Sequence, residues 1–393
     1  MSIASAADAD GGTRAPDEAL PRHAPSPAAQ RRGTSIVDCD VHPLVSGIDR
    51  LLPHLEPRWR RRFDGRDVVA SSPFSAARYW HPLGILRRDA QPPDGGLPGT
   101  DPEHLIAHHA DAHGLASLVL LSLQAGALAS WVNVDEAAAL ASAYNRFFVE
   151  EWLPRDPRFN LAIVVSPHDP EQAALEIERH ARTERVVGVF LPLVDRLMGH
   201  RFYDPIYAAA TRHELPILMH GSGAEGMFPG APATAGGVPS TYVERYVGMP
   251  QIAQASVASL VFEGAFERFP RLRISFVEWG FSWLAPLLWR MDKAWRGLRV
   301  ETPWVRKPPS EYVFEHLRFT TEPLDEPSEV RHLHELLEMI QAERTLMFST
   351  DYPHWDNDTP AFVLGKMPAK IRDRVAAENA RELFGQRLAG SFA

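Results

Sequence analysis

The sequence predicts an α/β fold, a (β/α)8 TIM-like barrel with long active-site loops, on three observations. Eight short runs of apolar and β-branched residues alternate with helical stretches, the pattern of βα units around a parallel sheet. Several of these runs end on an imidazole or a carboxylate, where the catalytic groups of such barrels sit. No G-x-G-x-x-G follows the first run, so an open dinucleotide-binding sheet lacks its phosphate loop.

Residues Met1–Gly33 are rich in Ala, Pro, Asp and Arg. Such a segment has too little apolar area to offset its ordering entropy, and a disordered tail or loosely docked arm is expected there. A single barrel domain is expected over 34–393. Its strands are predicted at Ser35–His42, Ala116–Ser122, Asn160–Ser166, Val186–Leu191, Leu215–His220, Leu272–Glu278, His316–Thr321 and Arg344–Asp351. Helices are predicted at Val134–Trp152, Pro170–Thr183, Pro205–His213, Ile252–Phe269, Ser282–Arg296, Pro327–Gln341 and Pro360–Val375. Two stretches are too irregular for simple connections, Asp64–Asp101 and the Gly-, Pro- and Ala-rich Gly221–Pro250. Long loops of this kind are functional lids or surface excursions. The second leaves directly from His220 and is read as lying over the site; the first fits either description.

The 393 residues, 45% of them hydrophobic, suffice for a large core. Fifty acidic residues against 41 basic ones give a net charge of -9, which argues against a nucleic-acid or anionic-membrane partner and leaves a small molecule as the expected substrate. Cys39 is the only cysteine, so neither an internal disulfide nor a cysteine zinc knuckle can form, and a reducing, cytoplasmic location is expected. No apolar run reaches the roughly 18 to 20 residues that span a bilayer.

The first strand carries the chemistry most plainly. It reads Ile36-Val37-Asp38-Cys39-Asp40-Val41-His42, and the two-residue period puts Asp38, Asp40 and His42 on one face. Three polar groups pointing into a barrel are expensive unless they are paired or bind a cation. Asp40 and His42 can offer an oxygen and a nitrogen to one metal. Asp38, one pleat deeper, is expected behind the site as an acceptor that orients a ligand. His220 closes Leu215–His220 and Asp351 closes Leu346–Asp351, so strands one, five and eight aim at one point. Glu278 ends the sixth strand and is read as a site residue. Glu322 follows the seventh, with a place in the pocket or on the surface near a helix. His354 is a ligand, a partner of a ligand, or a rim residue. Trp279 and Tyr352 are expected on the pocket wall, and Trp131, Phe228 and Trp355 near the rim suggest an aromatic ligand. His104, His108 and His109 read as a helix face near the surface.

These residues resemble the amidohydrolase-related family, in the branch of aminocarboxymuconate semialdehyde decarboxylase and the resorcylate-type decarboxylases. The resemblance spans roughly Ser35 to Gly385 and rests on Asp38–Pro43, Leu215–His220, Phe269–Arg273, Glu278-Trp279-Gly280 and Phe348–His354, with Glu378–Gly385 similar to the family's terminal helix. It implies a TIM-like barrel whose divalent metal (zinc, manganese or iron) is held by Asp40, His42, His220 and Asp351, in a homo-oligomer or with a related barrel. Family decarboxylases carry a histidine where this chain has Glu278, which speaks against decarboxylation by that route. The reaction expected is hydrolysis of a carbonyl-type bond, or a related C–C cleavage. A metal lowers the pKa of its water from about 15.7 toward about 7, Asp351 serves as base, and Glu278 and His220 complete the catalytic set. Counting Asp40, His42, His220, Glu278, Asp351 and His354 as six donors suggests an alternative, a dinuclear iron oxygenase. A structural subunit that only retains the barrel is the third reading.

Overall fold

The structure, a computed structural model, describes residues 35–66, 85–221 and 237–388. The tail Met1–Gly33, Phe228 and much of the two irregular stretches lie outside the described residues. Eight strands pair in chain order into one parallel sheet. They are β1 (Ile36–Val41), β2 (Leu115–Leu120), β3 (Phe159–Val164), β4 (Val186–Pro192), β5 (Ile217–His220), β6 (Ile274–Val277), β7 (Leu317–Thr320) and β8 (Leu346–Met347). All fall within a residue of their predicted windows at the N-terminal side or start inside them. They read as unbroken apolar runs because helices cover one face of a barrel sheet and packed side chains fill the other. Every residue of β3, β4, β5 and β6 is buried.

The later strands are shorter than predicted. His316 closes the helix Pro309–His316, and Arg344 lies in the short helix Ala342–Thr345, so neither belongs to a strand. With β8 only two residues long, the barrel closes against β1 through separate backbone bonds. Cys39 N donates to Phe348 O (3.0 Å), Asp351 N to Asp40 O (3.1 Å) and His42 N to Tyr352 O (2.7 Å). This seam runs directly beneath two of the expected ligands.

Helices begin where the sequence supplies caps. Asn133 accepts from Asp135 N and Glu136 N at the start of Val134–Phe147, and Asp169 accepts from Gln172 N ahead of Pro170–His180. The stretch expected as one helix over Ile252–Phe269 is two, Pro250–Phe262 and Ala265–Arg268. Gly264 separates them at φ 72, a left-handed conformation glycine adopts freely. Pro360–Val375 likewise breaks at Pro368, which pushes Met367 into an extended conformation and leaves Pro360–Lys366 and Ala369–Asp373. One helix, Tyr242–Gly248, lies in the stretch read as irregular. No helix among the described residues is long and apolar enough to cross a membrane.

Candidate metal centre

At the C-terminal rim, one donor atom each from Asp40, His42, His220, Glu278 and Asp351 lies within 4.8 Å of all the others. Four of the five residues are 0% exposed. The orientation of the two imidazoles decides what the group can hold. His42 Nδ1 donates to Leu121 O at 2.8 Å and His220 Nδ1 to Gly221 O at 2.6 Å. A neutral imidazole with its proton on Nδ1 presents a lone pair on Nε2. Those lone pairs face carboxylates. His42 Nε2 is 3.1 Å from Asp40 Oδ1 and 2.8 Å from Asp351 Oδ1, while His220 Nε2 is 2.9 Å from Glu278 Oε2. Lone pairs at this spacing repel unless a cation lies among them. Neither Nε2, nor either oxygen of Asp40, nor Asp351 Oδ2, nor Glu278 Oε2 has a hydrogen-bond partner among the described residues. Two imidazole nitrogens and three carboxylates fit a borderline divalent ion such as zinc, manganese or iron.

Without an ion, protons take its place, and the acid–base equilibria shift accordingly. Burial pushes His220 down, but the Glu278 and Asp40 carboxylates outweigh it and hold the imidazole well above its usual range. Burial raises Asp40, yet His42 and His220 on either side pull it far below the usual carboxylate range. Asp351 moves the other way, raised by burial and then by Glu278, Glu322, Asp356 and Asp40. His354 is pushed down by burial and by His42.

The seam behind these ligands is pinned by Asp38. Its Oδ1 accepts from Asp40 N (3.2 Å) and Thr350 N (3.0 Å), its Oδ2 from Thr350 Oγ1 (2.6 Å) and His109 Nε2 (2.9 Å). The ring of His109 stacks on Tyr352 with centroids 4.3 Å apart. His109, read from sequence as a surface histidine, is 1% exposed. It lies in a π-helical turn, Ile106–Asp111, that continues the short helix Pro102–Leu105 and breaks the regular helical facing. His354 stands beside the ligand group. Its Nδ1 is 2.6 Å from Asp351 Oδ1 and its ring stacks on His42 at 4.5 Å.

A pocket opens onto the centre between Ile85, Leu123, His220, Gly221, Tyr242, Arg245, Tyr246, Met249, Glu278, His354 and Asp356. Three residues expected on its wall are elsewhere. Trp279 is turned into the core with Nε1 on Met219 O (3.1 Å), Tyr352 packs against His109 with its hydroxyl on His108 Nδ1 (3.1 Å), and Glu322 is fully buried beyond the pocket. The aromatic wall comes instead from Tyr242 and Tyr246 on the unpredicted helix. The pattern Thr241-x-x-Glu244 announces that helix, since Thr241 caps it by accepting from Glu244 N. The described end of the first irregular stretch also docks on the rim. Trp355 N donates to Ile85 O (2.7 Å), Arg87 N to Pro353 O (2.9 Å) and Leu44 N to Gly99 O (2.8 Å).

A family model described as Amidohydrolase matches residues 37–386. Among curated proteins, the gamma-resorcylate decarboxylase of Rhodococcus jostii is 25% identical over 299 residues, 70% of this chain and 84% of that protein. Among solved structures, 5-carboxyvanillate decarboxylase LigW from Sphingomonas paucimobilis superposes with a TM-score of 0.64 at 20% identity, covering 90% of this chain and 99% of that one. The 5-carboxyvanillate decarboxylase of Novosphingobium aromaticivorans, complexed with manganese and a nitrobenzoic acid, gives 0.64 at 19% identity over 90% and 96% of the two chains. At such identities the structural likeness establishes the barrel.

Proposed function

The chain belongs to the amidohydrolase family, and on that footing we propose that it is a divalent-metal-dependent decarboxylase of a small hydroxylated aromatic acid. The observation that carries this reading is the pair of buried, unpartnered Nε2 atoms of His42 and His220 aimed among Asp40, Glu278 and Asp351. Such a set needs a cation, and relatives that cover 70% of this chain are gamma-resorcylate decarboxylases. Manganese suits the carboxylate-rich donors and is the metal named in the Novosphingobium structure. Hydrolysis and iron-dependent oxygenation have no support among these relatives, and a purely structural role leaves the donor set without a purpose.

A divalent ion bound by Asp40, His42, His220 and Asp351 would act as a Lewis acid toward the oxygens of the substrate. The chain's own residues do the rest. Tyr242 and Tyr246 face the aromatic ring across the pocket, and Ile85, Leu123 and Met249 keep water from it. Glu278, bordering the pocket with its side chain 13% exposed, is the acid within reach of the ring. With substrate bound it takes up a proton from solvent and passes it to the ring carbon that carries the carboxylate. The bond to the carboxylate carbon then breaks, its electron pair returns to the ring, and CO2 leaves. A carboxylic acid thereby fills the post that the family resemblance gives to a histidine.

The test is CO2 release from 2,6-dihydroxybenzoate, 5-carboxyvanillate and other ortho-hydroxybenzoates by manganese-loaded protein. In D2O the product should carry one deuterium at the carbon that lost the carboxylate. Glu278→Gln, compared with wild type at saturating manganese, should lower turnover about 100- to 10,000-fold. A loaded protein that releases no CO2 from any member of the panel sinks the reading.

A further inference from the structure

Beside the five-donor group stands a second convergence of carboxylates. Oxygens of Glu322, Asp351 and Asp356 all lie within 4.8 Å of one another. Glu322 is 0% exposed, and neither of its oxygens has a hydrogen-bond partner among the described residues. Asp351 belongs to both groups. Its Oδ1 faces His42 Nε2 and His354 Nδ1, and its Oδ2 is buried with no hydrogen-bond partner among the described residues. Asp356 Oδ2 accepts from Tyr246 OH at 2.7 Å, which fixes the carboxylate against the pocket wall.

The two loops that supply these groups are tied together before any ligand arrives. Glu322 N donates to Ser349 Oγ (3.0 Å), Thr321 Oγ1 accepts from Ser349 N (3.0 Å), and Leu324 N donates to Asp358 Oδ2 (2.9 Å). The group is therefore preorganised rather than an accident of mobile side chains. Charge tells what it lacks. Asp40, Glu278, Glu322, Asp351 and Asp356 bring five carboxylates together, and one divalent ion with the buried Arg245 guanidinium on the same pocket neutralises only three. An orphaned buried carboxylate is costly unless a cation or a proton joins it.

We propose that Glu322, Asp351 and Asp356 form a second cation site, with Asp351 bridging it to the first. All its protein donors are oxygens, so it takes a hard divalent cation, Mn2+ or Mg2+, and lacks the nitrogen ligands that favour zinc at the first site. The proposal rests on the metal centre assigned above, but not on the decarboxylation.

Metal-free protein equilibrated with Mn2+ and submitted to elemental analysis should bind two ions per chain. Glu322→Gln and, separately, Asp356→Asn should each bind one. Electron paramagnetic resonance adds an independent reading. Two ions sharing Asp351 couple, so fully loaded wild-type protein should show a broadened, coupled signal and fully loaded Glu322→Gln an isolated six-line spectrum. One ion per chain in saturated wild-type protein overturns the second site and marks Glu322 and Asp356 as a protonated acid pair. Two ions in both variants overturn it as well, since the second ion would then be bound elsewhere. No ion in any form refutes the first site too, whereas two ions without CO2 release refute only the decarboxylation.

Discussion

β2, β3 and β4 are six, six and seven residues long and supply no donor to the metal centre, whereas β5, β6, β7 and β8 are four, four, four and two residues long. Each of the short strands carries at its end, or in the loop that follows, a member of one of the two clusters: His220, Glu278 and Asp351 of the five-donor group, and Glu322 of the carboxylate group beside it. A residue held in a ladder must point along the pleat. To aim a carboxylate across the barrel mouth, the chain leaves the ladder. Glu278 and Asp351 both do so with φ 63, a left-handed conformation that costs a non-glycine residue about 1–3 kcal/mol. One half of the barrel is thus built for stability, and the other gives up ladder bonds and backbone ease to place charge. β1 serves both, paired with β2 along one edge and carrying Asp40 and His42 toward the seam on the other.

Four substitutions or conditions separate the halves. The largest effect belongs to the ladder half. Phe159 opens β3, is 0% exposed and packs on Trp152 with ring centroids 5.9 Å apart. Phe159→Ala should cost about 3–5 kcal/mol of stability in denaturant titrations. The manganese affinity of the molecules that remain folded should not change; a parallel loss of affinity would break the division.

The donor half should show its cost as a pH dependence of the metal-free protein. Burial and the neighbouring Glu278 raise Asp356 from 3.8 to about 6. A raised folded-state pKa means that the fold holds the proton more tightly than the unfolded chain does. That contribution is complete below the unfolded value and disappears as pH climbs through about 6, a loss of about 3 kcal/mol. Asp351 and Glu322, raised by burial first and by the surrounding carboxylates second, extend the decline to higher pH. The apoprotein should therefore melt at lower temperatures as pH rises from about 4 to 7. Manganese should abolish the decline, because its binding gains from deprotonated ligands. Apo and loaded curves that run parallel would show that these carboxylates are not the ligands.

A third effect falls on the seam. Asp38 touches no ligand side chain, yet it holds Asp40 N and Thr350 N, the backbone neighbours of two donors. Asp38→Asn should weaken manganese binding about 10- to 100-fold, with the rate of the proposed decarboxylation at saturating metal much less affected. Unchanged affinity would make Asp38 a support of the fold alone.

The fold was legible in sequence because a strand buried on both faces is a continuous apolar run, and a donor at its end interrupts the run visibly. His42, His220, Glu278 and Asp351 stand out in this way. His109 does not. Its neighbours His104 and His108 make it part of what looks like a solvated face, and its partner Asp38 is 71 residues away in the chain. Tyr242, Arg245 and Tyr246 were hidden by the Gly- and Pro-rich residues around them, although Thr241-x-x-Glu244 marks their helix. Asp356 carries no local signal, because only the closed barrel brings it to Glu322.

The smallest expected effect is the most direct check on the backbone half of the comparison. At Glu278, glycine would remove both the carboxylate and the penalty of φ 63. Two terms oppose each other in the metal-free protein. Glycine loses more conformational entropy on folding, about 0.5–1 kcal/mol, but the relief of left-handed strain is at least of that size. Removal of Glu278 also withdraws a negative charge that raises Asp351, Glu322 and Asp356, but it takes from buried His220 the carboxylate 2.9 Å away that holds its imidazole above the usual range. Glu278→Gly should therefore unfold within about 1 kcal/mol of wild-type apoprotein, while the proposed decarboxylation is lost. Glu278→Ala, which keeps the side-chain strain but lacks the carboxylate, should fall below Glu278→Gly. If the two variants were equally stable, the positive φ would store no strain, and the short strands of the donor half would owe their length to something other than the aiming of their terminal side chains.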